Sequence, residues 1–264
     1  MKIAISGKGG VGKSTVAGTL ARLYAADGHR VLAVDADPDA NLASAIGLPL
    51  SSYSRIHTIS TERKLIEERT GAKVGEFGQM FRLNPDVSDI AQRYAVRHEG
   101  VDLLVLGAAQ RAAGGCACPE SVLLKSLVSH LVLRLNDVVI LDMEAGIEHL
   151  GRGTASGVDL MMVVVEPGQR SVETAERIRQ MSADLGICRF GVVLNKTAAP
   201  EEDSRWIASK FGDLLGAIPF DVRIAQADRH GLALADLGHP ELLNPFRALQ
   251  KTLQSYCTAK ESIS

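Results

Sequence analysis

The chain reads GKGGVGKST at residues 7–15, directly after an apolar run at residues 2–6. This matches the phosphate-loop pattern G-x-x-x-x-G-K-[ST], which lies between a strand and a helix. The glycines let successive backbone N–H groups turn inward around phosphates, Lys13 adds a positive charge, and the Ser14 hydroxyl can bind Mg²⁺. We therefore predict a nucleoside triphosphate site. The residues expected to form it here are Gly9, Gly10, Val11, Gly12, Lys13, Ser14 and Thr15.

Short apolar runs alternate with helical patterns along the rest of the chain. Continuous apolar runs are typical of strands that are covered on both faces of a parallel sheet. Strands are predicted at residues 2–6, 31–35, 101–107, 137–142, 159–165, 189–194 and 216–221, and helices at 16–26, 61–69, 120–135, 171–185 and 241–256. A weaker pattern predicts a short strand at residues 77–83, inside an insertion at 51–100. We predict one α/β domain over residues 1–264, with a mostly parallel twisted sheet between two layers of helices.

Acidic residues follow two of these strands. Asp35 and Asp37 follow the second strand, and Asp142 ends the strand at 137–142. Ligands of open α/β sheets bind beyond the carboxyl ends of the strands, so these residues should face the γ-phosphate and Mg²⁺. We predict that Asp37 orients the attacking water and that Asp35 and Asp142 support the metal through water. The alternative is a plain turn, and Asp39 is expected to cap the next helix.

Two later strand ends are expected to form the base site. Asn195 and Lys196 follow the strand at 189–194, and Pro219 lies near the end of the last strand. We predict that these three residues lie beside an adenine ring, because an Asn amide can hydrogen-bond the edge of a base. A turn-forming Asn is the alternative at this position.

The chain contains four cysteines, two of them in the sequence Cys116-Ala117-Cys118. A Cys-x-Cys pair supplies two thiolates, whereas soft divalent ions commonly take four ligands. Two copies of the chain across a two-fold axis would supply four, which suits Zn²⁺, Ni²⁺ or an iron–sulfur cluster. Incidental cysteines are the alternative. Cys188 and Cys257 are interpreted as structural.

The charge balance argues against a polyanion partner. The chain has 29 Lys and Arg against 31 Asp and Glu, a formal net charge of −2, and no long basic block. No apolar run reaches the roughly 20 residues that a membrane span needs, and no signal peptide is recognisable. With so few cysteines, we expect a cytoplasmic protein that binds neither nucleic acid nor membrane.

Together these segments resemble the deviant phosphate-loop ATPases that include MinD, ParA and the nitrogenase iron protein. The similarity is carried by residues 8–15, by 35–41 and 142–146 as the two switch segments, and by Asn195 as the adenine contact. In that family, a lysine at the position of Lys8 reaches the nucleotide of a partner subunit. The resemblance therefore implies a homodimer that forms with ATP. It also implies that Lys8 is a catalytic residue, together with Lys13 and Asp37.

Within this family the chain most resembles the CooC-type ATPases that mature nickel-containing carbon monoxide dehydrogenase, through residues 116–118 and 142–149. The resemblance implies an ATP-hydrolysing maturation factor that dimerises with ATP and metal and assists nickel insertion into the active-site cluster of that enzyme. Its cofactors would be ATP or ADP, Mg²⁺, and Ni²⁺ or Zn²⁺. Glu148 and His149 are interpreted as switch or surface residues rather than metal ligands.

Two alternatives within the family stay open at this point. One is an electron-transfer ATPase with a [4Fe–4S] cluster, but residues 144–152 lack the second cysteine of the nitrogenase iron protein. The other is a MinD- or ParA-like positioning ATPase. That function would call for a basic amphipathic helix at residues 246–260, where polar residues interrupt the pattern, or for a concentrated basic patch.

Overall fold

The computed structural model describes residues 1–76, 78–107, 118–135, 137–145, 150, 152–155, 157–212 and 214–258. The strands within these residues are β1 (Lys2–Ser6), β2 (Val31–Ala36), β3 (Val96–His98), β4 (Val101–Val105), β5 (Val138–Met143), β6 (Leu160–Val165), β7 (Phe190–Thr197) and β8 (Gly216–Pro219). They form one sheet in the order β3-β4-β2-β5-β1-β6-β7-β8. All neighbouring strands are parallel except β3 and β4.

The five predicted helices begin and end within three residues of their predicted bounds, and the described residues contain ten helices in all. They are α1 (Lys13–Ala26), α2 (Leu42–Ala45), α3 (Arg63–Thr70), α4 (Ile90–Tyr94), α5 (Pro119–Arg134), α6 (Arg152–Ala155), α7 (Gln169–Leu185), α8 (Pro200–Phe211), α9 (Val222–Arg229) and α10 (Asn244–Thr258). Short 3₁₀ turns lie at Leu50–Arg55, Ile59–Thr61, Leu234–Asp236 and Pro240–Leu243. The closing helix therefore begins at Asn244, after a 3₁₀ turn, rather than at residue 241.

Two apolar cores cover the two faces of the sheet. Ile3 and Ile5 of β1 pack in one core with buried residues of α1 and α10, whereas Ala4 packs in the other with residues of α5 and α7. Successive residues of a strand point to opposite faces, so a strand covered on both sides must be apolar at every position. The predicted fold class, a mostly parallel sheet between two layers of helices, is confirmed.

The predicted strand at residues 77–83 is wrong over its described part, residues 78–83, which form no strand. Met80 and Leu83 are mostly exposed there, so the apolar residues of this stretch do not contribute to a core. The strand on this side of the sheet is the antiparallel edge strand β3, which the sequence pattern did not indicate. Helices α8 and α9 were also not predicted, and each buries a single residue, Ile207 or Ala227.

The strand order places the loops after β1, β2, β5 and β7 along one edge of the sheet. β1 lies between β5 and β6, and β5 separates β1 from β2. Parallel strands present their carboxyl ends at the same edge, so the phosphate loop, both acidic strand ends and Asn195 all emerge on this side. The fold thereby brings together residues that are 184 positions apart in the sequence.

Candidate nucleotide-binding site

The loop between β1 and α1 can form only with glycine at two of its positions. Gly7 has a φ of 150° and Gly12 a φ of 92°. A Cβ atom on Gly7 would lie 2.4 Å from the Val164 carbonyl oxygen, and one on Gly12 would lie 2.5 Å from Asn195 Nδ2. Both distances are far below contact, so the motif glycines are required by close packing as well as by backbone conformation.

Helix α1 begins at Lys13 with Gly12 as its N-cap, and no side chain among the described residues caps it. Its first turn contains no acidic residue. The first N–H groups of a helix have no partner within the helix, and together with the helix dipole they attract anions. The phosphate loop thus leads into an uncapped helix N-terminus, which is the expected arrangement for a bound phosphate.

Two of the three predicted catalytic side chains, Lys13 and Asp37, lie together in this site. Lys13 Nζ is 3.6 Å from Asp37 Oδ2, and both side chains are largely buried, with 7% and 12% of their surfaces exposed. Asp37 Oδ1 also accepts a hydrogen bond from the Asp39 backbone N–H at 3.1 Å. In this structure the carboxylate of Asp37 therefore neutralises the lysine that would otherwise meet a phosphate.

Asp35 organises the segment that follows β2. Its Oδ1 accepts a hydrogen bond from Asp37 N at 3.2 Å and its Oδ2 accepts one from Leu42 N at 2.9 Å. The side chain is fully buried, and this burial raises the pKa of Asp35 to about 6 against the opposing effect of the two N–H donors. Asp35 thereby supplies the acceptor at the start of α2, and the predicted capping role of Asp39 is wrong because its side chain does not cap that helix.

Asp142 is the penultimate residue of β5 and has no solvent exposure. Within the described residues, neither of its carboxylate oxygens has a hydrogen-bond partner. Burial raises the pKa of Asp142 to about 7, and the neighbouring Ser14 hydroxyl acts in the opposite direction. A buried carboxylate without partners is costly, so a cation or its water shell would fit between Asp142 and Ser14.

The end of β7 contacts the phosphate loop directly. Asn195 Nδ2 donates a hydrogen bond to the Val11 carbonyl oxygen at 2.7 Å, and Lys196 Nζ donates one to the Gly10 carbonyl oxygen at 2.5 Å. Val11 itself is fully buried. The predicted base-site residues and the predicted phosphate-site residues are therefore in direct contact with one another.

A cavity of about 340 Å³ joins the predicted phosphate and base sites. All but one of the residues predicted to contact the nucleotide line it, and the exception is the buried Val11. The wall also contains residues that were not predicted: Asp39, Asn41, Phe220, Asp221, Ile224, Ala225, Asp228 and Phe246. Most of these come from α9, α10 and the end of β8. Asp39 and Asn41 belong to the predicted switch segment at 35–41, and Phe220 and Asp221 end the last predicted strand, whereas nothing in the sequence indicated the residues of α9 and α10.

Lys8 lies outside this cavity. It lines a neighbouring cleft together with Ala145, which follows β5, and with Arg170, Thr174 and Arg177 of α7. Lys8 forms no ion pair with any residue that the structure describes. The structure thus separates the two lysines of the motif, with Lys13 inside the cavity and Lys8 beside it.

The predicted metal residues are only partly within the described chain. Cys118 is the N-cap residue of α5, and its thiol donates a hydrogen bond to Ser121 Oγ at 3.1 Å. Cys116, Glu148 and His149 lie outside the described residues. The described part of the chain contains no group of three His, Cys, Asp or Glu side chains that could hold a metal ion. Cys188 is exposed, which disagrees with a buried structural role.

Over the ranges given above, the structure contains no helix that is both long and apolar enough to cross a membrane.

Comparisons with known proteins match these features. A family model described as the CobQ/CobB/MinD/ParA nucleotide binding domain matches residues 2–234. The carbon monoxide dehydrogenase accessory protein CooC of Rhodospirillum rubrum is 49% identical over 239 residues, which covers 90% of this chain and 90% of that protein. An uncharacterized ATP-binding protein of Methanocaldococcus jannaschii is 43% identical over 231 residues, covering 86% and 88%.

The fold is similar to that of solved structures as well. The MinD cell division protein of Aquifex aeolicus has a TM-score of 0.69 at 18% identity, with 97% of this chain and 98% of that chain covered. A ParA family ATPase from Chlorobium tepidum has a TM-score of 0.67 at 18% identity, covering 96% and 97%. The resemblance noted in the sequence is confirmed. Because the family model spans most of the chain, the protein belongs to the CobQ/CobB/MinD/ParA nucleotide-binding family of phosphate-loop ATPases.

Proposed function

We propose that the chain binds Mg²⁺-ATP in the 340 Å³ cavity and hydrolyses it to ADP and phosphate. The observation that carries this proposal is the ion pair between Lys13 and Asp37 at the cavity wall. A triphosphate would compete with Asp37 for the ammonium group of Lys13. Asp37, released from the lysine, is then the carboxylate that orients the attacking water.

Ser14 and Asp142 are the residues that would hold Mg²⁺, with Asp142 acting through water. The two unpartnered oxygens of Asp142 support this assignment, since a divalent cation stabilises the ionised form of a buried carboxylate. When bound, Mg²⁺ neutralises part of the phosphate charge. Asp35 takes the supporting role of fixing the backbone at Asp37 and Leu42, so that the water-orienting carboxylate is held at the cavity wall.

Adenine would occupy the part of the cavity between the ends of β7 and β8. Because Asn195 Nδ2 is used on the phosphate loop, the side-chain oxygen of Asn195 is the atom that would accept from the exocyclic amine of adenine. Pro219, Ile224 and Phe246 provide apolar surface at this end of the cavity for the faces of the ring.

We further propose that residues 1–264 form one ATPase domain and that two copies associate over ATP. One continuous eight-stranded sheet and a family match over residues 2–234 support the single domain. The position of Lys8 supports the dimer, because this lysine lies beside its own cavity rather than inside it and so is free to reach the nucleotide of a partner.

The cellular role proposed here is that of an accessory ATPase for carbon monoxide dehydrogenase, which assists nickel insertion into its active-site cluster. The support for the accessory role is the 49% identity to a protein named a carbon monoxide dehydrogenase accessory protein, and nickel insertion is what the resemblance to the CooC-type ATPases implies. Cys116 and Cys118 of two copies would supply four thiolates for Ni²⁺ or Zn²⁺ as cargo. Cys118, the described member of the pair, is the N-cap residue of α5.

Phosphate release from Mg²⁺-ATP tests the enzymatic part of the proposal. Asp37→Asn should lower the rate about 100-fold and leave ATP affinity within a few-fold, since it removes only the water-orienting charge. The matched control is Asp184→Asn, at an exposed carboxylate on α7. Equal rates in wild type and Asp37→Asn would refute the role of Asp37.

Metal titration tests the cargo part separately. Ni²⁺ and Zn²⁺ are titrated into the wild type, Cys116→Ser, Cys118→Ser and the control Cys188→Ser, each with ADP and with a non-hydrolysable ATP analogue. We expect one metal ion per two chains in the wild type and the control, no tight binding in the other two variants, and an affinity that depends on the nucleotide. Full metal content in both pair variants would refute the four-thiolate site.

A further inference from the structure

Two adjacent residues at the end of β7 hold two adjacent carbonyl groups of the phosphate loop. Asn195 donates to the Val11 carbonyl oxygen and Lys196 donates to the Gly10 carbonyl oxygen. The side chain of Asn195 is almost completely buried by this contact. These two hydrogen bonds join the strand that carries the base site to the loop that carries the phosphate site.

A regular strand could not make both contacts, because successive side chains of a strand point to opposite faces of the sheet. The ladder between β7 and β8 pairs Asn195 with Ile218 and Thr197 with Pro219, so that Lys196 is an extra residue in a bulge. Lys196 has a φ of 58°, in the left-handed region that non-glycine residues rarely adopt. The bulge turns the Lys196 side chain to the same side as that of Asn195.

The phosphate loop has the matching shape. Gly12 lacks the side chain that would collide with Asn195 Nδ2 at 2.5 Å, so the amide group fits directly against the loop backbone. Left-handed backbone at a lysine costs about 1–2 kcal/mol. Such a cost at the edge of a binding cavity is typical of residues whose conformation serves a function.

The two contacts fix the direction of loop N–H groups. In a trans peptide unit the carbonyl oxygen and the following N–H point in opposite directions. Because Lys196 holds the Gly10 oxygen, the Val11 N–H points away from β7, and it closes the turn onto the Lys8 carbonyl oxygen at 3.4 Å. Because Asn195 holds the Val11 oxygen, the Gly12 N–H also points away from β7, as an inward-facing donor for an anion must.

We propose that Asn195 and Lys196 are positioning residues that clamp the phosphate loop in its anion-binding conformation before the triphosphate arrives. Lys196 thereby acts on the phosphate half of the site, although its place in the sequence is at the base half. The ammonium group also brings a second positive charge to the loop, in addition to Lys13. This inference rests on the proposed ATP binding, and the experiment below separates the two.

The test uses Lys196→Gly, with Lys196→Asn as a second variant. Glycine adopts the left-handed conformation without cost and asparagine tolerates it, so both keep the bulge while removing the ammonium group. Calorimetry measures the affinity of each chain for Mg²⁺-tripolyphosphate and for Mg²⁺-ATP. We expect both affinities to fall by the same factor, about tenfold or more, as expected for losing a charged hydrogen bond. The ratio of the two affinities, which measures the contribution of the base, should stay within about twofold.

Two further measurements distinguish a clamp from a merely structural residue. Lys196→Gly should unfold within a few degrees of the wild type, because the relieved backbone strain offsets the larger conformational entropy of glycine in the unfolded chain. Amide hydrogen exchange at residues 9–13 of the nucleotide-free chain should nevertheless become faster, because the loop carbonyl is no longer held. A lowered unfolding temperature with unchanged loop exchange would overturn the clamp.

Other results of the affinity measurements would contradict the clamp, the proposed ATP binding or both. Unchanged tripolyphosphate affinity in both variants would overturn the clamp while leaving ATP binding intact. A loss of ATP affinity with tripolyphosphate affinity unchanged would place Lys196 on the base side and also overturn it. A wild-type chain that binds tripolyphosphate but not ATP would refute the proposed function alone, and one that binds neither would refute both.

Discussion

Asp35 and Asp142 are direct neighbours across the β2–β5 ladder, at the end where both strands reach the phosphate loop. Both side chains are fully buried. Asp35 compensates its burial with two backbone N–H donors, whereas Asp142 has no hydrogen-bond partner among the described residues. The sheet therefore holds one satisfied and one unsatisfied carboxylate side by side, and the unsatisfied one lies next to the hydroxyl of Ser14.

Through two buried carboxylates, the stability of the nucleotide-free chain should fall as pH rises from about 4 to about 7. Burial raises the pKa of Asp35 to about 6 and that of Asp142 to about 7, from 3.8 for both. The folded chain therefore binds more protons than the unfolded chain between about pH 4 and about pH 7, so the contribution of the two groups to folding falls across this range and is gone above the folded-state values. At about 1.4 kcal/mol per pH unit, the loss is roughly 3 kcal/mol for Asp35 and roughly 4 kcal/mol for Asp142. Urea unfolding in EDTA measures the effect, and a midpoint that rises with pH would contradict it.

Asp142→Asn should separate stability from activity. The neutral amide removes the buried charge, so the free energy of unfolding at about pH 7.5 should increase by roughly 1–3 kcal/mol and depend less on pH. Mg²⁺-dependent ATP hydrolysis should fall, because the site loses the β5 carboxylate that is proposed to support Mg²⁺ through water. Chemical unfolding and phosphate release are measured on the same preparation, with Asp184→Asn as the exposed control. A variant that is less stable than the wild type but hydrolyses ATP at the wild-type rate would contradict both expectations.

Gly12→Ala should lower the free energy of unfolding more than Gly28→Ala does. The two glycines have similar backbone conformations, but the surroundings of Gly28 are open. Gly12 and Gly28 both have left-handed backbone, with φ of 92° and 85°. A Cβ on Gly12 meets Asn195 Nδ2 at 2.5 Å, whereas one on Gly28 meets nothing within 4 Å. We expect about 1 kcal/mol of destabilisation from Gly28→Ala and roughly 2–3 kcal/mol from Gly12→Ala. Thermal unfolding of the two variants gives the difference, and equal losses would mean that Asn195 moves aside freely.

The positions of the phosphate loop and of the acidic strand ends could be predicted from the sequence. Buried parallel strands are continuous apolar runs, and their carboxyl ends must share one edge, so residues such as Asp37 and Asp142 were placed correctly by periodicity alone. The apolar sequence pattern was too weak to predict an element where few apolar residues are buried. Helix α9 buries only Ala227, yet it forms much of the base end of the cavity.

The contacts of Asn195 and Lys196 could not be predicted, because they depend on a bulge that has no local sequence signal. Left-handed backbone usually calls for glycine, and the sequence has lysine there. The conformation is set by the β8 register and by the loop on the other side, both distant in sequence. Phe246 reaches the cavity from α10 for the same kind of reason: its position depends on how the last helix packs.

Lys8→Ala should impair hydrolysis without removing the nucleotide site. Lys8 lines the cleft beside α7 and not the cavity, whereas Lys13 lies in the cavity wall. In dilute solution, where chains are monomeric, the ATP affinity of Lys8→Ala should stay within about threefold of the wild type, while Lys13→Ala loses most of it, as expected for removing a charge that binds phosphate. At high concentration, Lys8→Ala should lose ATP-dependent dimers and at least about tenfold in hydrolysis rate.

Sedimentation velocity with and without a non-hydrolysable ATP analogue measures the dimer, and Lys64→Ala at an exposed lysine of α3 serves as the control. The test depends on whether Lys8→Ala keeps ATP affinity in the monomer while losing the ATP-dependent dimer. If Lys8→Ala weakened ATP binding in the monomer as much as Lys13→Ala does, Lys8 would act on the nucleotide of its own chain. A variant that dimerised and hydrolysed ATP normally would instead leave the cleft beside α7 without a part in the reaction, and the cross-subunit role of Lys8 would be wrong.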